Sequence, residues 1–205
     1  MKTGIEFKQD KKGMDVKIYG ARASYAYLNA PDEKGTYRSQ FILSKTASGV
    51  DAFKAAYIEY GKSAFPGAWK SAAFKDGDRI IADKSEIGGE VAEMQHYAGS
   101  VVFSGMTFAD KKTGKLPDIR GNCYSGCYLA VILRICPYDF KDETTGTRQV
   151  GLHAYINGVK FMEDGEKLGG ERSNADSLDV PDPDPLQDMG KKPEAGKPYT
   201  DDVPF

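Results

Sequence analysis

The amino-acid sequence predicts a mainly β protein: a small antiparallel sheet or barrel of about five strands, one main helix after the second strand, and a disordered acidic C-terminal tail. Three observations carry this expectation. In residues 121–138, GNCYSGCYLAVILRICPY, the odd positions Cys127, Leu129, Val131, Leu133 and Ile135 form an unbroken apolar row. Tyr124, Tyr128 and Arg134 fall on the opposite side, with Gly126, Ala130 and Ile132 between them. A single stretch, 50–65, carries apolar residues at clear helical spacing. Six of the ten prolines lie between Pro181 and Pro204, where Asp alternates with Pro. One-sided burial such as that of 121–138 lets an inner face hold the fold while the outer face meets a ligand.

Taken in order, residues 1–13 are charged and aperiodic, and read as a loose arm or a short edge element. Residues 15–28, DVKIYGARASYAYL, are dense in β-branched and aromatic residues and predict a strand, with Gly20 marking a bend or bulge. NAPDEKG (29–35) is a turn, and 36–44 alternates, with Tyr37, Ser39, Phe41 and Leu43 on one side and Arg38, Gln40 and Ile42 on the other. In the helix, Val50, Phe53, Ala56, Tyr57 and Tyr60 make the apolar stripe; Ser48 is the expected cap, and Gly61 or Pro66 the stop. KDGDR (75–79) reads as a turn before a short strand at 80–82, and 84–96 is ambiguous between helix and loop. YAGSVVFSGMTF (97–108) is a strand with small residues that admit a close backbone or ligand, and 109–120 is a polar cationic loop. DETTG (142–146) is a turn, and 148–161 gives a last strand or strand pair, with Asn157–Gly158 as a hairpin signal.

A chain of 205 residues with 40% hydrophobic content supports one core, so residues 1–169 are expected to form one domain and 170–205 a disordered tail. No apolar run approaches the length of a membrane span and the N-terminus lacks a signal-peptide core, which predicts a cytoplasmic protein. Cys123, Cys127 and Cys136 fall on the one predicted strand, which argues against a disulfide framework, and Cys123 and Cys127 stand too far apart there for a shared zinc ion unless the strand breaks. With only His96 and His153 besides, neither a metal nor a cofactor is expected. From residue 166 onward ten acids face five bases, −5 in all, which leaves +3 on the rest of the chain. A mildly basic body joined to an acidic end is a pattern of self-regulating nucleic-acid binders.

The chain ends in Asp201, Asp202, Val203, Pro204 and Phe205, two acids before an apolar plug suited to a pocket with basic walls. This end resembles the C-terminal tip of bacterial single-stranded DNA-binding proteins, with Val203 in place of Ile, and implies recruitment of replication or recombination proteins. The succession TYRSQFILSK, YAGSVVFSG, NCYSGCYLAVILRICPYD and VGLHAYINGVKFMEDGEKLGG resembles the tailed-phage single-stranded DNA-binding proteins. That resemblance implies an OB-fold five-stranded barrel holding single-stranded DNA in a groove, for replication or recombination of a phage genome. The helix after the second strand departs from the usual OB order, which places it after the third.

The residue types agree with that implication. Tyr25, Tyr27, Tyr97, Phe108, Tyr124 and Tyr128 offer rings on which bases stack without being read, each worth about 1–3 kcal/mol. Arg22, Arg38, Lys45, Lys111, Lys112, Lys115, Arg120 and Arg134 are the candidate phosphate contacts. Two other classes compete. A metal-dependent nuclease would use Asp76 with Asp78, or Asp139 with Asp142 and Glu143, but both groups fall in turns where acids serve the backbone. An adaptor acting through its tip alone leaves the ring-rich strand without a purpose. No phosphate-cradling loop, nucleophile elbow or histidine pair points to an enzyme.

Overall fold

The structure, a computed structural model, describes residues 2–87, 91–108, 117–141 and 146–168. Five long strands close on themselves: β2 (Gly13–Tyr27), β3 (Thr36–Ser44), β6 (Ser100–Phe108), β8 (Tyr128–Lys141) and β9 (Arg148–Glu163). Around the barrel the order is β2, β3, β6, β9, β8 and back to β2. Every contact is antiparallel except that between β6 and β9, where Gly105 meets Ala154 and Met106 meets Tyr155 in parallel. This order and closure are those of an OB barrel, and closing the sheet leaves its long strands without bare edges.

Alternation decides which side chains enter. Leu129, Val131, Leu133 and Ile135 of β8 pack inside with Val16 and Ile18 of β2, Phe41 and Leu43 of β3, Phe103 of β6 and Leu152, Ala154 and Ile156 of β9. The helix α1 (Val50–Ala64) lays Val50, Phe53, Tyr57 and Tyr60 on this core. Phe53 is its centre, with ring centroids of Phe7, Tyr57, Phe74 and Phe103 all 5.2 to 5.7 Å away.

The helix does not start as expected. Gly49, at φ +84°, occupies the cap position with no side-chain bond, while the Ser48 carbonyl accepts from Ile5 N–H at 2.8 Å. Nor does Gly61 stop it: the absent side chain there leaves room for the Trp69 ring, which a Cβ would meet at 2.2 Å.

Of the two alternatives for residues 1–13 the edge element holds: 4–10 form a strand, β1 (Gly4–Asp10), paired in register with β2. Several other expectations are corrected. Short strands β4 (Lys70–Ser71) and β5 (Phe74–Asp76) precede α2 (Gly77–Glu86), so 80–82 is helical. The cause is Asp76, whose carboxylate accepts from Asp78 N–H and caps the helix. A 3₁₀ helix, Ala92–Tyr97, delays the next strand to Ser100. With α2 it covers the outer side of β3 and β6, where Ile42, Tyr97 and Val102 form a second small core with Ile80, Ile81 and Met94.

Residues 121–127 are not strand: Gly126 at φ +112° turns the chain, so only Cys136 of the three cysteines lies on β8. Asn157–Gly158 makes no hairpin either, because β9 runs on to Glu163 and pairs there with β8 and with β7 (Asp118–Arg120). The Gly20 bulge is present, at φ +68° beside a register shift between Tyr19 and Ala21. Among the described residues no helix is long and apolar enough to cross a membrane. The tail from 170 and the terminal residues Asp201, Asp202, Val203, Pro204 and Phe205 lie outside the described residues, as do Lys111, Lys112 and Lys115.

Candidate functional site

One outer face of the barrel gathers rings and cations. Cross-strand register joins Tyr27 to Arg38, Arg38 to Met106, Met106 to Tyr155 and Tyr155 to Arg134, a continuous row over β2, β3, β6, β9 and β8. Beneath the first part of this row runs a groove of about 280 Å³, lined by Tyr25, Tyr27, Arg38, Gln40, Met106 and His153 among others. From Tyr155 the rings continue outward along the β8–β9 arm. His153 lies 4.4 Å from Tyr155 edge to face, Tyr138 lies 5.5 Å from His153, and Phe140 lies 5.7 Å from Tyr138.

Tyr25 projects furthest, 61% exposed. It is the sole non-glycine with positive φ among the described residues, at φ +50°, and the β2–β3 register shifts between Ser24 and Tyr27 around it. A large side chain in the left-handed region costs free energy and persists only where surrounding structure enforces it. The enforcing structure is the turn at 123–127. Ser125 Oγ accepts from Ala26 N–H at 2.9 Å, Gly126 N–H donates to the Ala23 carbonyl at 2.8 Å, and Ala23 N–H donates to the Cys127 carbonyl at 2.9 Å. The CYSGC motif therefore braces the bulge that presents Tyr25.

Arg38 is held ready rather than free. Its guanidinium lies 4.9 Å over the Tyr27 ring and its Nε is 3.0 Å from Asp32 Oδ2. Asp32 in turn closes the 29–35 turn by accepting from Lys34 N–H and Thr36 N–H at 3.0 Å each, and the Thr36 bond leads in holding its carboxyl below the usual range. His153 has its Nε2 buried without a hydrogen-bond partner among the described residues, and burial lowers its pKa.

The remaining residues proposed from sequence are placed differently. Tyr97 is 1% exposed and its phenol donates to Gln40 Oε1 beside Ser24, so it is a packing group of the second core and cannot present a face to a base. Tyr124 is half-buried; its phenol donates to Asp164 at 2.9 Å and accepts from Gly165 N–H at 3.2 Å. Tyr128 is likewise half-buried against Gly165, whose added Cβ would meet its ring at 3.0 Å. Arg22 donates to the Glu166 carbonyl at 2.7 Å, so Arg22 and both tyrosines clasp 164–166 over the 124–126 turn. CYSGC and EDGEKLGG are thus packing partners.

Lys45 binds Asp76 at 2.7 Å and Asp78 at 2.6 Å, tying down α2. The same contact commits the acids weighed as a metal pair. Asp139 is likewise forked by Arg148, while Asp142 and Glu143 lie outside the described residues. Arg134 is committed to Asp10 at 2.8 Å and Asp15 at 3.1 Å, and Arg120 forks onto Asp118 at 3.0 and 2.9 Å. Phe108 ends β6 opposite Thr36. Sequence reasoning missed Met106, Tyr138, Phe140, His153 and Tyr155. The alternation in LHAYIN, which sends Leu152, Ala154 and Ile156 inward, was the available signal for His153 and Tyr155.

A five-stranded barrel of this order, closed by one parallel contact, is of the oligonucleotide- and oligosaccharide-binding (OB) fold class, and its groove crosses β2, β3, β6 and β9, with rings from β2 and β9. Within that class, residues 14–189 match the family described as the Enterobacter phage Enc34 ssDNA-binding protein, and the chain belongs to that family. Among solved structures, the single-stranded DNA-binding protein of bacteriophage Enc34 in complex with ssDNA is 22% identical, with a TM-score of 0.51 over 79% of this chain and 96% of that one. The bacteriophage T7 single-stranded DNA-binding protein gp2.5 is 16% identical, with a TM-score of 0.54 over 86% of this chain and 98% of that one. These likenesses share the barrel. A search of the curated proteins gives no match.

Proposed function

We propose that this chain binds single-stranded DNA, without reading its sequence, on the outer face formed by Tyr25, Tyr27, Arg38, Met106 and Tyr155 and continued along His153, Tyr138 and Phe140. The observation that carries the proposal is the strained, braced presentation of Tyr25 at the mouth of a ring-lined groove. Bases stack on exposed rings whatever their identity, while Arg38 and the loop lysines Lys111, Lys112 and Lys115 follow phosphates. Family membership and the ssDNA complex of the Enc34 relative support this reading. The role is that of a coating protein in phage DNA replication or recombination, a binder rather than a catalyst.

Residues 170–205 act as a tail whose tip, Asp201 to Phe205, recruits replication or recombination proteins. Its excess of acids makes it a weak competitor with DNA for the cations of that face and of the 109–120 loop. Equilibrium titration of labelled oligo-dT and of a duplex of equal length, across salt, tests the proposal. Preference for the single strand with a steep salt dependence is expected; equal affinity for the duplex would refute it. Truncation after Gly169 should tighten binding at low salt only, and deletion of Val203 to Phe205 should abolish partner capture at unchanged DNA affinity.

A further inference from the structure

A second trough, of about 340 Å³, lies further along the outer face of β8 and β9, where β2 and β7 complete its walls. Two registered rows build it. Tyr19, Ala130, Lys160 and Arg120 stand side by side across the four strands, and so do Lys17, Ile132, Gly158 and Asp118. The small residues Ala130 and Gly158 keep the floor low, Ile132 lies on it 44% exposed, and the long side chains of Lys17, Lys160 and Arg120 rise from it. Arg120 is forked by Asp118, and Lys17 stands opposite Glu6 on β1, but neither Lys17 nor Lys160 forms an ion pair among the described residues. Tyr19 adds a ring, with Lys2 Nζ 3.9 Å from its centroid. Nothing in the packing of the barrel requires cations raised around an apolar floor.

The trough continues the ring-lined face. The Ile132–Gly158 pair lies two residues along β8 from Arg134, which pairs with Tyr155 at the end of the ring row. Two strand residues span about 6.6 Å, comparable to one step of an extended polynucleotide. The carboxylates of Asp10 and Asp15 gather on the β1–β2 side of Arg134, so the open route for a polyanion runs along β9 past Tyr155 and Asn157.

We infer that the trough is a second contact for the same unpaired DNA strand: a strand leaving the groove at Tyr155 passes along β9, sets its phosphates against Lys17 and Lys160, and lays a sugar or base on Ile132. This inference rests on the single-strand binding proposed above. It makes the occluded length greater than the groove alone would cover, and it assigns binding roles to Lys17, Lys160 and Ile132.

The test compares the full chain with the double variant Lys17→Ala, Lys160→Ala. Two oligo-dT probes are used, of about 6 and about 20 nucleotides, the first near the short end and the second beyond the long end of the roughly 4 to 16 that one such barrel covers. Both lysines are exposed, and thermal melting verifies the fold of the variant. Short-probe affinity should stay within about twofold, while the log–log salt slope for the long probe falls by about 1.4, two single-strand phosphates at about 0.7 each. That change amounts to a relative loss of about 25-fold in long-probe affinity at 0.1 M salt compared with 1 M. Ile132→Ser should weaken only the long probe, at an unaltered slope. An unchanged slope and occluded length would overturn the inference while leaving the groove in place, and so would equal weakening of both probes, which would merge the trough with the groove. Absence of single-strand binding by the unaltered chain would overturn the groove first and the trough with it.

Discussion

Replacing Tyr25 by glycine separates what its ring does for binding from what its backbone costs the fold. Tyr25 is 61% exposed, so removing its ring forfeits little burial within the protein. Its φ of +50° lies where a side chain clashes with its own backbone, at a cost of about 1–2 kcal/mol that glycine does not bear. Glycine's extra freedom in the unfolded chain takes back up to about 1 kcal/mol, which leaves a net stabilisation of roughly 0.5–1 kcal/mol. In a chain of this size that raises the melting temperature by about 1–4 °C. The lost stack, about 1–3 kcal/mol, weakens oligo-dT binding by about 5- to 150-fold. Fluorescence anisotropy and thermal melting on the same preparation should move in opposite directions, affinity down and stability up. Tyr25→Phe keeps a stacking face and should bind within about threefold of the unaltered chain. The reasoning fails if glycine leaves affinity within twofold, because the strain would then serve no contact with DNA.

Ser125 braces the backbone beside that ring through the bond that Ala26 N–H donates to its Oγ at 2.9 Å. Ser125→Ala should weaken oligo-dT binding several-fold in the unaltered chain and hardly at all beside Tyr25→Gly, a non-additivity read from a double-mutant cycle. Gly126→Ala puts a Cβ 2.1 Å from the Glu166 carbonyl oxygen at φ +112°, and should destabilise by about 1–3 kcal/mol in denaturant titration, with 164–168 becoming sensitive to protease. Asp10 is held at about 2, chiefly by its bond from Arg134. A carboxyl lowered on folding contributes stability that is complete above its unfolded value near 4 and is lost as pH falls through about 2. Asp10→Asn should therefore flatten the fall in melting temperature over that window, and an unchanged slope would dismiss the pair as a source of acid sensitivity.

The barrel was legible because its code is short-range. Alternation in 36–44 and 128–135 reflects which side chains point inward, and that depends only on the pleat. The points misread are those where a distant segment overrides the local pattern. The apparent alternation of 121–138 runs back through Cys123 and Cys127, yet Gly126 turns there because the Glu166 backbone presses on it from forty residues away. Asn157–Gly158 has hairpin composition, but its glycine instead keeps the floor between β7 and β8 low, with Asp118 O and Ile132 Cδ1 3.5 and 3.9 Å from where a Cβ would stand. Tyr97 looked like the start of a strand, and it fills the second core only because α2 and the 3₁₀ helix fold back over β3 and β6.

The site was harder to read for a related reason: a ring or a guanidinium serves a ligand only as far as its own chain leaves it exposed, as Arg38 stays 52% exposed beside Asp32 while Arg134 is 20% exposed, and the group that covers it is often remote in sequence. Arg134 is claimed by Asp10, 124 residues away, and Arg22 by the Glu166 carbonyl, 144 residues away. Tyr124 and Tyr128, on either side of the Gly126 turn, are covered by the segment that follows β9. Tyr25 carried no better local signal than they did. What sets it apart is its backbone, left-handed beside a braced bulge, which no propensity of tyrosine would select. Exposure and strain coincide at Tyr25 among the described residues, and the Tyr25→Gly experiment decides whether that coincidence serves DNA binding.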